Sequence, residues 1–249
     1  MNTARLLTTL LGFATLANAG KITVTAASDL NFCLDSVIQD YRKTHGSDEI
    51  QVTYGSSGKA FTQIQQGAPY DVFLSADVEY PNKLAEAGLA ASKPRLYALG
   101  RIVLWSATED ASKLDLRSLA SPRFSKVAIA NPLHAPYGKR AEEALRKQGI
   151  WEGLQPKLVL GENISQTAQF VQSGNASIGV LALSLVKSPA FSGKGYYLIP
   201  ANLHSPLEQA VVVLKRAEKN PLATDFVNYL FTPPARKVFE QYGFALPVE

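Results

Sequence analysis

The chain has 249 residues, with 25 Lys and Arg against 21 Asp and Glu, three His and a single Cys. One cysteine excludes an internal disulfide, and three scattered histidines give little sign of a transition-metal site. The formal charge of +4 is spread along the chain without basic blocks, which suits attraction of a small anion and does not suggest nucleic acid.

The chain opens Met1-Asn2-Thr3-Ala4-Arg5, continues as an apolar run over 6–16, and reaches Ala17-Asn18-Ala19. A basic start, an apolar stretch too short to span a bilayer and an A-x-A cleavage site predict a signal peptide over residues 1–19. The mature chain is then expected to start near Gly20, to be soluble, and to carry about +3 once Arg5 is removed. No lipid-attachable Cys follows the cut, and no later apolar run is long enough for a membrane span. The remaining length suits one large domain or two lobes.

Residues 21–26 alternate as a strand, and Ala27-Ser28-Asp29 forms the turn after it. Leu30, Leu34, Val37, Ile38 and Tyr41 recur at helical spacing, with Cys33 on the same face as a buried thiol and Gly46 placed as the C′ glycine. A second alternating run over 50–54 leads into Gly55-Ser56-Ser57-Gly58, and a short helix carrying Ala60, Phe61 and Ile64 ends near Gly67. Residues 72–76 form a continuous apolar run, typical of a strand buried on both faces, and the helix after Asp77 ends at Gly88.

The run over 96–105 reads as an extended crossing into a second lobe. There a new series starts, with strands over 126–130, 158–160 and 178–182, and helices ending at Gly149 and Gly174. A strand over 209–214 is expected to carry the chain back, and two helices opening at Pro221 and near Pro234 finish it, the latter ending at Gly243. The alternation predicts an α/β fold of two lobes with the ligand cleft between them. The boundaries are 20–99 for lobe 1, with 212–249 returning to it, and 100–211 for lobe 2.

Four turns collect small polar or backbone donors: Ala27-Ser28-Asp29, Gly55-Ser56-Ser57-Gly58, Ala135-Pro136-Tyr137-Gly138 and Asn163-Ile164-Ser165. Two belong to each lobe, and ligands of open α/β sheets bind beyond the carboxyl ends of the strands. Helix N-termini, hydroxyls and N–H groups together suit a desolvated dianion. Rival chemistries lack their residues. Gly58-Lys59 is followed by Ala60, so no Ser or Thr is there for Mg²⁺, and no G-x-S-x-G elbow occurs. His134 reads as a solvated loop residue, Lys59 as a surface lysine and Asp29 as a helix N-cap. Tyr137 stands between an oxyanion donor and plain packing.

At these residues the chain resembles the periplasmic molybdate-binding proteins of ABC transporters. The resemblance covers essentially the whole mature chain. It is carried by Ala26-Ala27-Ser28-Asp29-Leu30, by Gly55-Ser56-Ser57-Gly58, by the run from Gln66-Gly67-Ala68-Pro69-Tyr70-Asp71 to Ser75-Ala76-Asp77, by Asn131-Pro132 through Pro136-Tyr137-Gly138, and by Tyr242-Gly243-Phe244. It implies a type II periplasmic binding protein fold and a tetrahedral oxyanion, molybdate or tungstate, held by hydrogen bonds through its oxygens with no direct ligation of the metal. Ser28 and Ser57 would bind through hydroxyl and N–H, and Ile164 through its backbone N–H. Tyr137 matches a branch whose Tyr follows Ala-Pro, while the strand tyrosine of another branch is replaced here by Ala182. The Ala-Pro-Tyr branch tends to have an amide where this chain has Asp29, so Asp29 is expected to contribute through its backbone N–H, its carboxylate turned to cap the helix. No cofactor and no catalytic residue is implied. The partners implied are the oxyanion and an ABC permease in the inner membrane, with the protein a periplasmic monomer. An all-donor shell would disfavour protonated anions such as phosphate, while sulfate is excluded only by cavity size. A sulfate or other oxyanion binder, and a secreted enzyme using Tyr137, His134 or Asp29, are the alternatives.

Overall fold

The computed structural model of the protein describes residues 20–46, 48–191 and 193–247, so the expected signal over 1–19 lies outside the described residues. Strand β1 (Lys21–Ala27) passes through a single 3₁₀ turn at Ser28–Leu30 into α1 (Asn31–Tyr41). Then come β2 (Glu49–Gly55), α2 (Ser57–Gln65), β3 (Val72–Ser75), α3 (Glu79–Glu86) and β4 (Arg95–Gly100). The second series is β5 (Ile102–Trp105), β6 (Val127–Ala130), α4 (Pro136–Lys147), α5 (Trp151–Leu154), β7 (Leu158–Gly161), α6 (Ile164–Gln172), β8 (Ile178–Ala182), α7 (Leu183–Val186) and β9 (Tyr197–Leu198). The last elements are β10 (Leu207–Val213), α8 (Pro221–Tyr229) and α9 (Pro233–Gln241). Among the described residues no helix is long and apolar enough to cross a membrane.

The strands form two five-stranded sheets, in the orders β2-β1-β3-β10-β4 and β7-β6-β8-β5-β9. β1 pairs in parallel with β2 and β3, and β6 in parallel with β7 and β8. β10 and β5 run antiparallel to their neighbours. These two strands follow the crossings, and each enters its sheet against the direction of the parallel set. The apolar run over 96–105 is therefore two strands, β4 and β5, in different sheets with only Arg101 between them. The return crossing falls earlier than the expected boundary at 212: β10 belongs to the first sheet from Leu207 onward. Its first half alternates around the exposed Glu208 and includes the polar Gln209, so the apolar signal begins late.

Period-two alternation sorts the first sheet's side chains onto two faces. Val72 and Leu74 of β3 pack with Leu34, Val37, Phe226 and Phe239, whereas Phe73 packs on the other face with Val212 and Leu84. The second sheet has a core around Phe124, Trp151 and Leu181. Cys33 is a buried free thiol. Positive φ angles of 71–84° occur at Gly67, Gly88, Gly149, Gly174 and Gly243, where helix ends are predicted. Gly46 is different: α1 already ends at Tyr41, where its apolar face gives way to Arg42-Lys43-Thr44-His45, and Gly46 has no positive φ.

The start of α4 lies against the carboxyl end of β6. A Cβ on Gly138 would overlap the backbone carbonyl of Ala130, which has no freedom to move aside. The sequence thus lets α4 approach the strand closely enough to aim Tyr137 at the cleft. Gly138→Ala is expected to destabilise the protein by about 1–3 kcal/mol in urea unfolding. Gly153→Ala, where an added Cβ meets nothing within 4 Å, should leave the midpoint level or slightly raised.

Candidate functional site

The four donor-bearing turns come together. Ser28, Asp29, Ser57, Tyr137 and Ile164 all line one cavity between the lobes, of about 10 Å³, and each is at most 4% exposed. That volume is near the lower limit for one water-sized group. α2 points its N-terminus into the cavity from the first lobe and α6 points its own from the second. Ser57 and Ile164 are the first residues of these helices, so their N–H groups have no intrahelical acceptor. Each helix end favours a nearby negative charge by roughly 0.3–1 kcal/mol.

The two serines of the Gly-Ser turn divide the work. Ser56 is the N-cap of α2, accepting from Lys59 N–H at 3.4 Å, and its Oγ lies 3.0 Å from His134 Nδ1. Ser57 Oγ accepts the Ala76 N–H at 2.9 Å, which leaves its own proton for an acceptor in the cavity. Gly58 N–H reaches across the cleft to His134 O at 2.9 Å. A Cβ at Gly58 would sit 2.7 Å from that same oxygen, so the lobes meet here only because the residue is glycine.

Ser28 joins the lobes on the other side. Its Oγ donates to Asn163 Oδ1 at 3.1 Å and accepts the Ser165 N–H at 3.2 Å, while Ser165 Oγ donates to Ser28 O at 2.8 Å. Asn163 is also the N-cap of α6. Ser184 Oγ, on α7, donates to Asp29 O at 2.7 Å. The turn at Ser28–Leu30 is thus held from the second lobe by two helices.

The Asp29 carboxylate does not cap a helix, contrary to the expectation. It turns instead into a buried polar cluster. Tyr137 OH donates to Asp29 Oδ2 at 2.9 Å, and Gln209 Nε2 donates to the same oxygen at 2.6 Å and to Tyr137 OH at 3.1 Å. Tyr97 OH donates to Gln209 Oε1 at 2.7 Å. Oδ1 of Asp29 is buried without a hydrogen-bond partner. Burial pushes the Asp29 carboxyl up to about 7, against the pull of the Gln209 and Tyr137 bonds. The phenol of Tyr137 is also pushed up, first by burial and then by the Asp29 charge, so it stays protonated. Its one proton is engaged by Asp29, and the cavity is not the all-donor shell expected.

Gln209 and Tyr97 were not among the expected site residues. The pairing of β10 with β4 slips at this point: Gln209 opposes Ala98 and Ala210 opposes Leu96, so Tyr97 is an extra residue on β4. Such a bulge re-aims side chains. It lets Tyr97 and Gln209 both point into the cluster, at 2% and 0% exposure. The available signal was one polar residue at the head of a strand otherwise apolar from 210 to 214.

At the rim, Lys59 and Glu162 form an ion pair across the lobes, each about half exposed. Such a pair contributes about 0–1 kcal/mol. Lys59 is thus the surface lysine expected, with an interlobe partner, whereas His134 is a partly buried interlobe contact rather than the solvated residue expected. Burial, then the Lys59 charge, pushes the His134 imidazole down, so it is neutral at pH 7. No Lys, Arg or His lines the cavity itself. Asp71 is scaffold: its carboxylate accepts Thr23 N–H at 2.8 Å and pairs with Arg216 at 3.0 Å. Among the described residues no group of three His, Cys, Asp or Glu could hold a metal ion.

The profile of the bacterial extracellular solute-binding protein family matches residues 22–245. The molybdate-binding protein ModA of Azotobacter vinelandii is 37% identical over 94% of this chain and 93% of its own length. The molybdate-binding protein ModA of Rhodobacter capsulatus is 35% identical over 97% and 94%. The solved periplasmic molybdate-binding protein of Azotobacter vinelandii superposes with a TM-score of 0.86 at 31% identity, over 91% of this chain and all of that one.

The raised Asp29 carboxyl has a sign for stability. It binds its proton more tightly folded than unfolded, so its contribution is fully present below the ordinary value of 3.8 and is lost as pH rises to about 7. In urea unfolding without anion, Asp29→Asn should lose less stability between pH 4 and pH 8 than the parent does. The expected difference is on the order of a few kcal/mol, and equal losses would place the titration elsewhere.

Proposed function

The chain belongs to the bacterial extracellular solute-binding protein family, and we propose that it captures molybdate or tungstate outside the cytoplasm and delivers it to an ABC permease of the inner membrane. It works in the periplasm as a monomer. The observation that carries this reading is the meeting of two helix N-termini, from opposite lobes, at a buried cavity that has hydroxyls and N–H groups and no cation in its lining, with Asp29 its one charged side chain. Donors of that kind answer an anion that stays charged on all sides. The names of the two relatives and of the superposed structure point to molybdate, and tungstate is included as the oxyanion of the same shape and charge.

The roles follow from the geometry. Ser57 gives its hydroxyl and N–H, and Ile164 its N–H. Ser28 and Tyr137 lie across the cleft, with their protons engaged on Asn163 and Asp29. A tetrahedral oxyanion is larger than the cavity, so seating it requires these two contacts to yield. The lobes part by a hinge motion about the two crossings, and the anion then replaces the protein–protein bonds with its own. The metal atom is reached only through its oxygens.

The relatives are molybdate-binding proteins, and this chain is a binder rather than an enzyme. Ser56 and His134 stand within hydrogen-bond distance, but His134 Nε2 is 3.9 Å from Glu162, too far to be oriented by it. Ser56 also caps its helix, which is reason enough for its place.

Calorimetric titration of the mature protein with molybdate, tungstate and sulfate at one pH and salt tests the reading. Tight one-to-one binding of the first two is expected, with sulfate at least about a hundredfold weaker, about 2.7 kcal/mol. Equal or tighter sulfate binding would leave the fold and overturn the ion. Ser57→Ala should weaken binding about 10- to 100-fold, the value of one hydrogen bond to a charged group. Ser56→Ala should instead lower stability by about 1 kcal/mol and affect affinity less; the reverse order would exchange the two roles.

A further inference from the structure

The inference concerns the protons of the Asp29–Tyr137 pair and rests on the oxyanion reading above. With Asp29 ionised, the pair has one proton between two groups. That proton lies on the Tyr137–Asp29 Oδ2 bond, and Oδ1, on a residue that lines the cavity, accepts no bond from another side chain. Gln209 adds two donors to the inner side of the pair but none to the cavity, since Nε2 is engaged with Oδ2 and with the phenol oxygen. In this state neither the Tyr137 hydroxyl nor the Asp29 carboxylate has a hydrogen to give an anion. A carboxylate and a dianion sharing one desolvated site also repel each other, with no cation between them.

One added proton removes both difficulties. If it sits on Oδ1, Asp29 itself donates to the anion while Tyr137 keeps its bond to Oδ2. If it sits on Oδ2, Asp29 donates to the phenol oxygen and Tyr137 turns its own hydrogen to the anion. Either way the pair passes from no spare donor to one, and its charge falls to zero. A protonated carboxyl has the one-donor, one-acceptor pattern of a carboxamide. We propose that Asp29 is a proton-sharing ligand, so that this cleft takes its oxyanion together with one proton from solvent, held on the Asp29–Tyr137 pair.

The surroundings leave little else to titrate in its place. From α1 the titratable group nearest Asp29 is Cys33, whose thiol burial pushes up and the Asp29 charge pushes further. From β4 it is Tyr97, raised by burial and then by Asp29. From α4 it is Tyr137 itself. β2 carries Tyr54, bonded to Asp35 at 2.6 Å. α6 and α7 carry no titratable side chain. Lys59, Glu162 and His134 are at the rim, with His134 already neutral at pH 7. The free carboxyl near 7 means that the proton must be gathered on binding when the medium is alkaline and is largely present when it is mildly acid.

The test is titration of the mature protein with sodium molybdate in buffers of different ionisation enthalpy, from pH 6 to pH 8.5, which counts protons taken up per anion. Molybdate is a dianion throughout. Wild type should take up most of one proton at pH 8.5 and much less at pH 6, and its affinity should fall towards about tenfold per pH unit at the alkaline end of the range. Asp29→Asn should take up none, with level affinity over the same range. Infrared difference spectra of wild type at pH 8 should gain a protonated-carboxyl band when molybdate is added, a readout that does not depend on the variant folding. Molybdate binding with no proton uptake and no new band would overturn the inference and leave the proposed function standing. The same uptake in Asp29→Asn would assign the proton to another group and also overturn it. No molybdate binding at any pH would overturn the proposed function itself.

Discussion

A desolvated double negative charge with no cation beside it is the constraint on which the rest of this cleft depends. Water would answer such a charge with many mobile dipoles; the protein must supply a few fixed ones. Helix N-termini are economical for this purpose, because their first N–H groups are unpaired by construction and already aligned. α2 and α6 bring two such ends from opposite lobes to one point. A lysine in the cavity would bind the anion more strongly but would discriminate less, since a point charge is indifferent to the placement of oxygens. Neutral donors distinguish ligands by geometry, and by whether each oxygen meets a hydrogen or another lone pair.

The fold exists to hold those donors at fixed spacing while letting the lobes part. In each sheet the parallel strands deliver their turns at the carboxyl ends, and the antiparallel strands next to the crossings, β10 and β5, tie each sheet to the chain's change of lobe. β10 does more than return the chain. Through the slip in its pairing with β4 it places Gln209 under the cavity floor, bonded at once to Tyr97 of its own lobe, to Asp29, and to Tyr137 of the other. A buried amide with donors and acceptors all engaged is rigid. Gln209 thus joins the strand at the crossing to the Tyr137 hydroxyl, which enters the polar cluster from the second lobe.

Much of this was legible in the chain. Alternation and apolar runs located nearly every strand, because burial on one or both faces leaves a period that does not depend on neighbours. The five residues expected at the site line one cavity, because small residues at strand-to-helix turns have few other reasons to recur in matching places. What escaped was non-local. No local pattern announces the extra residue at Tyr97, since a bulge is a relation between two strands. The Asp29 carboxylate was read as a cap from its position alone. Its actual partners, Tyr137 and Gln209, lie 108 and 180 residues away. Gly46 misled for the opposite reason, being a plausible local stop after a helix that packing had already ended at Tyr41.

On the proposed function, the contacts that close the cleft and the contacts that would hold the anion draw on the same groups. Ser28 Oγ bonds Asn163 across the lobes, Tyr137 bonds Asp29, and Ser57 keeps a proton for whichever acceptor reaches it. Closure and binding are therefore competing uses of one set of hydrogens. On that reading the affinity rests on what differs between the two states: the charge on the incoming acceptor, which strengthens each bond it accepts, and the charge on Asp29, which opposes binding until the pair takes up a proton. The Gly58 N–H bond to His134 O and the Ser165–Ser28 bonds also run between the lobes, so they too must yield when the lobes part. A binder built this way does not need a strong attraction to close, and for the same reason it does not need a strong force to open.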